Sequence, residues 1–191
     1  YVVSSEVVVK SGAKLTIEPG TKLTFKQDAS LTVANESSLA AVGTCERPIL
    51  FTGEQETRGY WRGIYFDNSD QVTSQMAYCA VEYAGKDDFW EADVAANLAV
   101  TEGSRLSVSN CSFRESAGYG FTFTGDATLD AFDACEVTAN EEGAGWVDGR
   151  AARFVSQSGT YTGNDLDVVY VNGGDNIPSE MDATWDAIDA A

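Results

Sequence analysis

The chain contains no histidine. That removes the usual general base near neutral pH and the commonest transition-metal ligand. Nucleophilic schemes that pair serine or cysteine with histidine go with it. Basic residues are scarce: 12 Lys and Arg stand against 30 Asp and Glu, for a formal net charge of -18. A surface of this sign argues against nucleic acid and anionic membranes as partners. No run of 18 apolar residues occurs, so no segment reads as membrane-inserted. Cysteine is limited to positions 45, 79, 111 and 135, and none forms Cys-x-x-Cys, which disfavours zinc and iron–sulfur sites. No leader-like stretch precedes Tyr1-Val-Val, so the sequence reads as a mature protein or an excised domain. Its 191 residues suit a single domain, 1–191.

What is present is a short period. Large apolar residues pair two apart at Leu15/Ile17, Leu23/Phe25, Leu31/Val33 and Ile49/Phe51. That spacing puts both side chains on one face of a strand. The pairs begin at 15, 23 and 31, and Leu39 continues the series. Pro19-Gly20, Asp28 and Asn35 lie between them as turn formers. Three strands and three corners make a coil of about 24 residues, and the chain returns at that interval. Cys111-Ser-Phe113 recurs as Cys135-Glu-Val137, Leu98-Ala-Val100 as Phe121-Thr-Phe123, and Leu106-Ser-Val108 as Leu129-Asp-Ala131. One period shared by three strand positions predicts an all-β solenoid of about seven coils with a continuous interior.

Two stretches leave the period. From Ile64 to Leu98 the spacing is too long for two strand positions, which predicts a lateral loop over 85–96. Insertions in solenoids gather on one face and often carry binding. The tail has apolar residues at spacings of three and four (Met181, Trp185, Ile188), which alone predict a short helix over the open end. Segment 172–191 is then either a cap or a junction to a further copy.

The segments Leu15-Thr-Ile-Glu-Pro-Gly-Thr21, Ala41-Val-Gly-Thr44, Pro48-Ile-Leu-Phe-Thr52, Trp61-Arg-Gly-Ile-Tyr-Phe66 and Tyr78-Cys-Ala-Val-Glu-Tyr-Ala-Gly85 resemble the right-handed parallel β-helix domains of bacterial secreted and surface proteins. The resemblance runs over about residues 1–125 and beyond that by period only. It implies a right-handed parallel β-helix with three short strands per coil, outside the cell or on its surface. It also implies that a Trp-containing tail precedes a Tyr-Val-Val opening in tandem copies.

Candidate sites follow. Phe89, Trp90, Asp87 and Asp88 in the lateral loop form a candidate ligand-binding set for a glycan. Asp87, Asp88, Glu91 and Asp93 are oxygen donors suited to a hard cation, so calcium is the one cofactor left open; equally, they are residues that turns select for backbone geometry. The same holds for Asp67-Asn-Ser-Asp70, Asn140-Glu-Glu142 and Asn172-Gly-Gly-Asp-Asn176. Cys79, Cys111 and Cys135 share one strand position, either as a plain thiol ladder or, with Cys45, as disulfides between coils. Polysaccharide lyases and hydrolases share this fold and need clustered acids on one outward face. The outward residues Asp130, Asp133, Glu136, Arg114 and Glu115 match no such motif, so no catalytic residue is assigned. Tyr1, Val2, Val3, Val7 and Val9 at one end, with Val169, Val171, Trp185 and Ile188 at the other, are the expected self-association surfaces. The leading expectation is a non-catalytic structural or adhesive module stacking head to tail. The alternative is carbohydrate binding or cleavage at the 86–93 loop.

Overall fold

The computed structural model describes residues 1–69, 73–88, 94–101, 103–173, 177 and 183–189. Its strands follow one another coil by coil. The first coil holds β1 (Val2–Val3), β2 (Val7–Val9) and β3 (Lys14–Ile17); the second β4 (Lys22–Phe25), β5 (Ser30–Ala34) and β6 (Ser38–Val42). The third holds β7 (Ile49–Gly53), β8 (Gly63–Asp67) and β9 (Ser74–Ala77); the fourth β10 (Cys79–Glu82), β11 (Ala96–Val100) and β12 (Arg105–Ser109). Then come β13 (Ser112–Arg114), β14 (Tyr119–Phe123) and β15 (Thr128–Asp133), and after them β16 (Glu136–Thr138) and β17 (Gly143–Asp148). A 3-10 turn at Ala151–Phe154 takes the third place of that sixth coil, and β18 (Val169–Asn172) belongs to the seventh.

Like strands stack on like strands. Sheet A runs β1-β4-β7-β10-β13-β16, sheet B β2-β5-β8-β11-β14-β17-β18, and sheet C β3-β6-β9-β12-β15. Among the described residues every strand pairing is parallel. The fold is the right-handed parallel β-helix with three strands per coil. Short strands suffice because each one inside a sheet is hydrogen-bonded on both edges and buries one face against the other two sheets.

The predicted recurrences are the observed registers. Leu98 faces Phe121, Leu106 faces Leu129 and Phe113 faces Val137. Of the expected core, Phe25, Ile49, Phe51, Ile64, Phe66, Val81, Phe113, Phe121 and Phe123 are fully buried. Trp61 joins them, its ring stacked 3.9 Å from Phe25 and its indole N–H donating to Glu82 O at 2.8 Å. Leu15 and Leu23 depart from expectation and are half-buried, because they sit on the first layers with too little chain beneath to cover them.

Three other expectations change. Ile64 pairs directly with Leu98, a whole coil rather than two strand positions, because β9, centred on buried Met76, is an additional strand. Val108 pairs with Phe132 rather than Ala131: the register slips by one at Asp130, a bulge whose carboxylate is held by Arg105 Nε at 2.9 Å and Thr73 Oγ1 at 3.1 Å. Among the described tail residues, 183–189 form no helix.

The corners are tight. Between sheets C and A one left-handed residue turns the chain, at Tyr78 (φ 49°), Asn110 (φ 52°) and Ala134 (φ 50°). Between sheets A and B, side-chain amides complete the hydrogen bonding. Asn97 Oδ1 accepts from the Ala84 N–H at 3.1 Å, Asn140 Oδ1 from Ser116 N–H at 3.0 Å, and Asn164 Oδ1 from Asn140 N–H at 3.1 Å. Their amide nitrogens donate to Arg114 O, Phe113 O and Val137 O. Buried backbone that a turn would orphan is thus satisfied in successive coils.

Candidate functional site

A solenoid has two ends where the ladder stops. At the N-terminal end, β1, β2 and β3 each lie at the margin of a sheet. The interior opens there into a cavity of about 520 Å³ lined by Val2, Val3, Val7, Leu15, Ile17, Leu23 and Phe25 among others. Tyr1 is 87% exposed and Val2 64%, and Val7 and Val8 are exposed beside them. A sheet margin with its N–H and C=O groups free is a template for another strand.

The C-terminal end differs. Sheet C stops at β15, and the 3-10 turn packs where its next strand would lie. Tyr161 is fully buried in the last coil, edge-on to Phe121, and its hydroxyl donates to Ser156 O at 2.9 Å. Its backbone N–H donates to Asp189 Oδ1 at 3.1 Å, and the Gln157 N–H to Asp186 Oδ2 at 3.4 Å. Ile188 packs against the core. These carboxylates accept hydrogen bonds that a further layer would otherwise take. Beside them β18 forms the margin of sheet B, with Tyr170 and Val171 exposed and Val169 half-buried. Trp185 is 52% exposed.

The self-association residues named from sequence therefore fall into two clusters, one at each end. Val9 and Val3 contribute mostly to the interior: Val9 is buried and Val3 packs against the core.

The lateral region leaves the helix between β10 and β11. Asp87 faces Arg62 at 3.6 Å, and Lys86 pairs with Asp28. Asp88 lies near Glu142, whose carboxyl is pushed up by burial first, then by Asp88 and Glu141. Tyr119 and Tyr170 meet edge to face at 6.0 Å close by, and burial raises the Tyr119 hydroxyl, with Glu142 adding to it. Phe89, Trp90, Glu91 and Asp93 lie outside the described residues. Among the described residues, no three cysteine or carboxylate side chains gather as a cation would need.

Sequence reading missed Glu82. It stands on the outward face of sheet A, one register step from Thr52 and Arg114. Thr52 Oγ1 donates to Glu82 Oε1 at 2.9 Å, and Arg114 Nε donates to Glu82 Oε2 at 2.8 Å. Nearby, Arg58 bridges Glu115 at 3.1 Å and Asp165 at 2.9 Å, which raises its guanidinium further. Burial raises the Tyr83 hydroxyl between them, helped by Glu56, Glu82 and Glu115. Glu82, Glu115 and Asp165 each already have a guanidinium, so these pairs tie coils together across the sheet face. The signal available in the sequence was register alone: Glu82 follows Val81 by one and therefore points outward.

All four cysteines are free, which corrects the disulfide expectation. Cys79, Cys111 and Cys135 stand at one position of successive coils and are buried, as the period predicts. Cys111 and Cys135 each donate to the carbonyl two residues earlier, at Ser109 and Asp133, and Cys79 lies between Ala41 O at 3.2 Å and Ala77 O at 3.4 Å. Cys45 is exposed in the β6–β7 connection, off the ladder.

No helix among the described residues is long and apolar enough to cross a membrane. No curated protein and no solved structure matches the chain. The family model described as a pectate-lyase like beta helix domain matches residues 1–87. Those residues are the first three coils and β10, so the parallel β-helix begun in the part similar to that family is carried by the remaining coils to β18.

Proposed function

We propose that this β-helix is a non-catalytic, extracellular structural module that stacks head to tail with another copy of itself or with a neighbouring β-helix domain. The observation that carries the reading is the open apolar mouth at Val2, Val7, Leu15 and Leu23, facing outward along the axis. Its natural occupant is another coil of the same architecture, because three sheet margins set at the β-helix angles fit only three strands so arranged. Sheet B supplies the register: β18 of one copy lies on β2 of the next. Val169 and Val171 continue the inward positions of Gly145 and Val147, and Val7 and Val9 those of Leu31 and Val33. Tyr1, Val2 and Val3 then cover the Trp185–Ile188 side. The contact is heterologous and does not close on itself without a rotation.

The test uses Val7→Lys and Val171→Lys, both at exposed positions. Each variant retains one intact end. Alone, each is expected to be monomeric by light scattering at concentrations where the unsubstituted protein forms chains. Mixed, the two form a dimer that grows no further. An unsubstituted protein that stays monomeric at high concentration overturns the reading.

A second reading is carbohydrate binding beside the lateral loop, favoured by the edge-to-face Tyr119 and Tyr170 pair next to Asp88 and Glu142. Exposed aromatic rings flanked by carboxylates are the side chains a sugar surface takes. Tyr170→Ala abolishing retention on a glycan array, with Val7→Lys leaving it intact, supports this reading.

A further inference from the structure

We propose that the two ends of the β-helix select each other by charge: the lysine-rimmed N-terminal mouth takes the acidic C-terminal end of a second copy and repels another mouth, an inference that rests on the head-to-tail reading above and adds what sets its polarity and its response to salt. Residues 1–27 carry Lys10, Lys14, Lys22 and Lys26 against Glu6 and Glu18, a local net charge of +2 in a chain of -18. Residues 115–191 carry 15 acidic residues against Arg150 and Arg153, a local net charge of -13. Each coil lies directly on the one before, from the first to β18, so the gradient along the sequence becomes a gradient along the axis. Lys10 and Lys14 belong to the first coil. Lys22 and Lys26 stand in the second, where the Tyr1 amino group donates to Lys22 O and the Lys26 N–H to Val3 O.

The charges at the two ends are also the ones left over. Arg58, Arg62, Lys86, Arg105, Arg114 and Arg150 are each ion-paired within the chain. The four N-terminal lysines are exposed, and among the described residues none of them is ion-paired. Toward the other end Asp133, Glu136, Glu141, Asp167 and Asp186 have no cationic partner among the described residues. With β18 set on β2, Lys10 follows Val9 as Asn172 follows Val171. Lys10 then extends the column in which Asn172 Nδ2 donates to Asp148 Oδ1 at 3.4 Å. Magnitudes decide between end charge and total charge. The seven strands of sheet B span about 29 Å at about 4.8 Å per layer. The screening length is about 10 Å at 0.1 M salt. The two ends of one molecule therefore do not neutralise each other, and an approaching copy feels the end it meets rather than the whole chain. Unlike ends attract and like ends repel, which gives the stack one orientation.

The test follows the association rate of the full chain by light scattering between about 0.1 M and about 1 M NaCl. Repulsion between total charges would make salt speed association. Matched ends make salt slow it, by about tenfold over that range, and this measurement needs no variant. Lys14→Gln with Lys22→Gln is expected to slow association at the lower salt and to flatten its salt dependence. Gln55→Glu with Gln75→Glu, both exposed on the third coil, changes the net charge by the same amount. That pair is expected to leave the rate within about twofold, because it sits away from both ends. Equal slowing by the two pairs overturns the inference and leaves the stacking reading standing. So does a rate that holds steady or rises with salt. A protein that forms no chains at any salt overturns the stacking reading itself, and this inference with it.

Discussion

The two ends of this β-helix solve the same problem with different chemistry. At the N-terminal end the first coil leaves an apolar mouth, with Leu15 and Leu23 half-buried and Val2 and Val7 in solvent. At the C-terminal end the last coil is closed over Tyr161, and Asp186 and Asp189 accept backbone N–H groups that face the next layer. One end is an unfilled template, and the other is blunted by side chains that mimic a strand's carbonyls. The difference gives the proposed stacking a direction. A stacked copy would gain by filling the mouth, while at the far end it would compete with the chain's own carboxylates for Tyr161 and Gln157, though not for the margin of β18.

The comparison breaks first in the core. Phe121 is packed by Phe123 at 4.7 Å and Phe132 at 4.8 Å near the C-terminal end. Phe121→Ala is expected to cost about 3–5 kcal/mol. Leu23→Ala, at the open mouth, is expected to cost well under half as much, because water already reaches that side chain. Urea denaturation followed by circular dichroism measures both, and equal costs would mean that the mouth is covered in solution.

A smaller effect sharpens the closed end. Burial raises the Tyr161 hydroxyl above the usual tyrosine range. A raised folded value means that the stability this group contributes is fully present below its unfolded pKa of about 10. It is lost as pH rises above that value. Tyr161→Phe removes this alkaline slope and leaves Ser156 O without its donor, at about 1 kcal/mol near neutrality. Thermal melts between pH 8 and 11 separate the two contributions.

Asp189→Ala tests the cap directly. Freeing the Tyr161 N–H is expected to cost about 0.5–1.5 kcal/mol in the monomer. It is also expected to raise the tendency to form chains, seen as a larger mass in light scattering. A destabilised variant that associates no better would show the carboxylate to be structural only.

The smallest effect lies on the flank. Glu142 is held up by burial and by Asp88 and Glu141, so its ionised form is disfavoured when folded. Its contribution is present at acid pH and lost as pH rises through its folded value. Glu142→Gln is expected to raise the melting temperature slightly near pH 7 and to leave it unchanged near pH 3.

The architecture was legible in the sequence because inward positions carry large apolar residues at a fixed period. It faded where that signal was absent. Gly145 sits inward in β17 opposite Phe121, and a Cβ there would meet the ring at 2.3 Å, so the position is emptied to admit a neighbour's side chain. A glycine carries no apolar side chain, so the period passes over it. β9 was missed because Met76 is its lone large inward residue, and the Asp130 bulge because one added residue leaves no compositional trace. The ends were legible in identity, as valines and a tryptophan, but not in state. Asp189 caps Tyr161 from 28 residues away, and no local pattern announces that bond.

The connections that leave the helix bear on how such a chain changes over time. Leu98 keeps its partner Ile64 across 34 positions and Phe121 across 23, with the same parallel register on both sides. Lengthening a closed loop costs only about 0.6 kcal/mol per doubling. The corner between β10 and β11 is therefore a place where segments can be exchanged, extended or lost while the axis holds. Whatever surface this protein presents sideways can be rewritten independently of the frame that carries it.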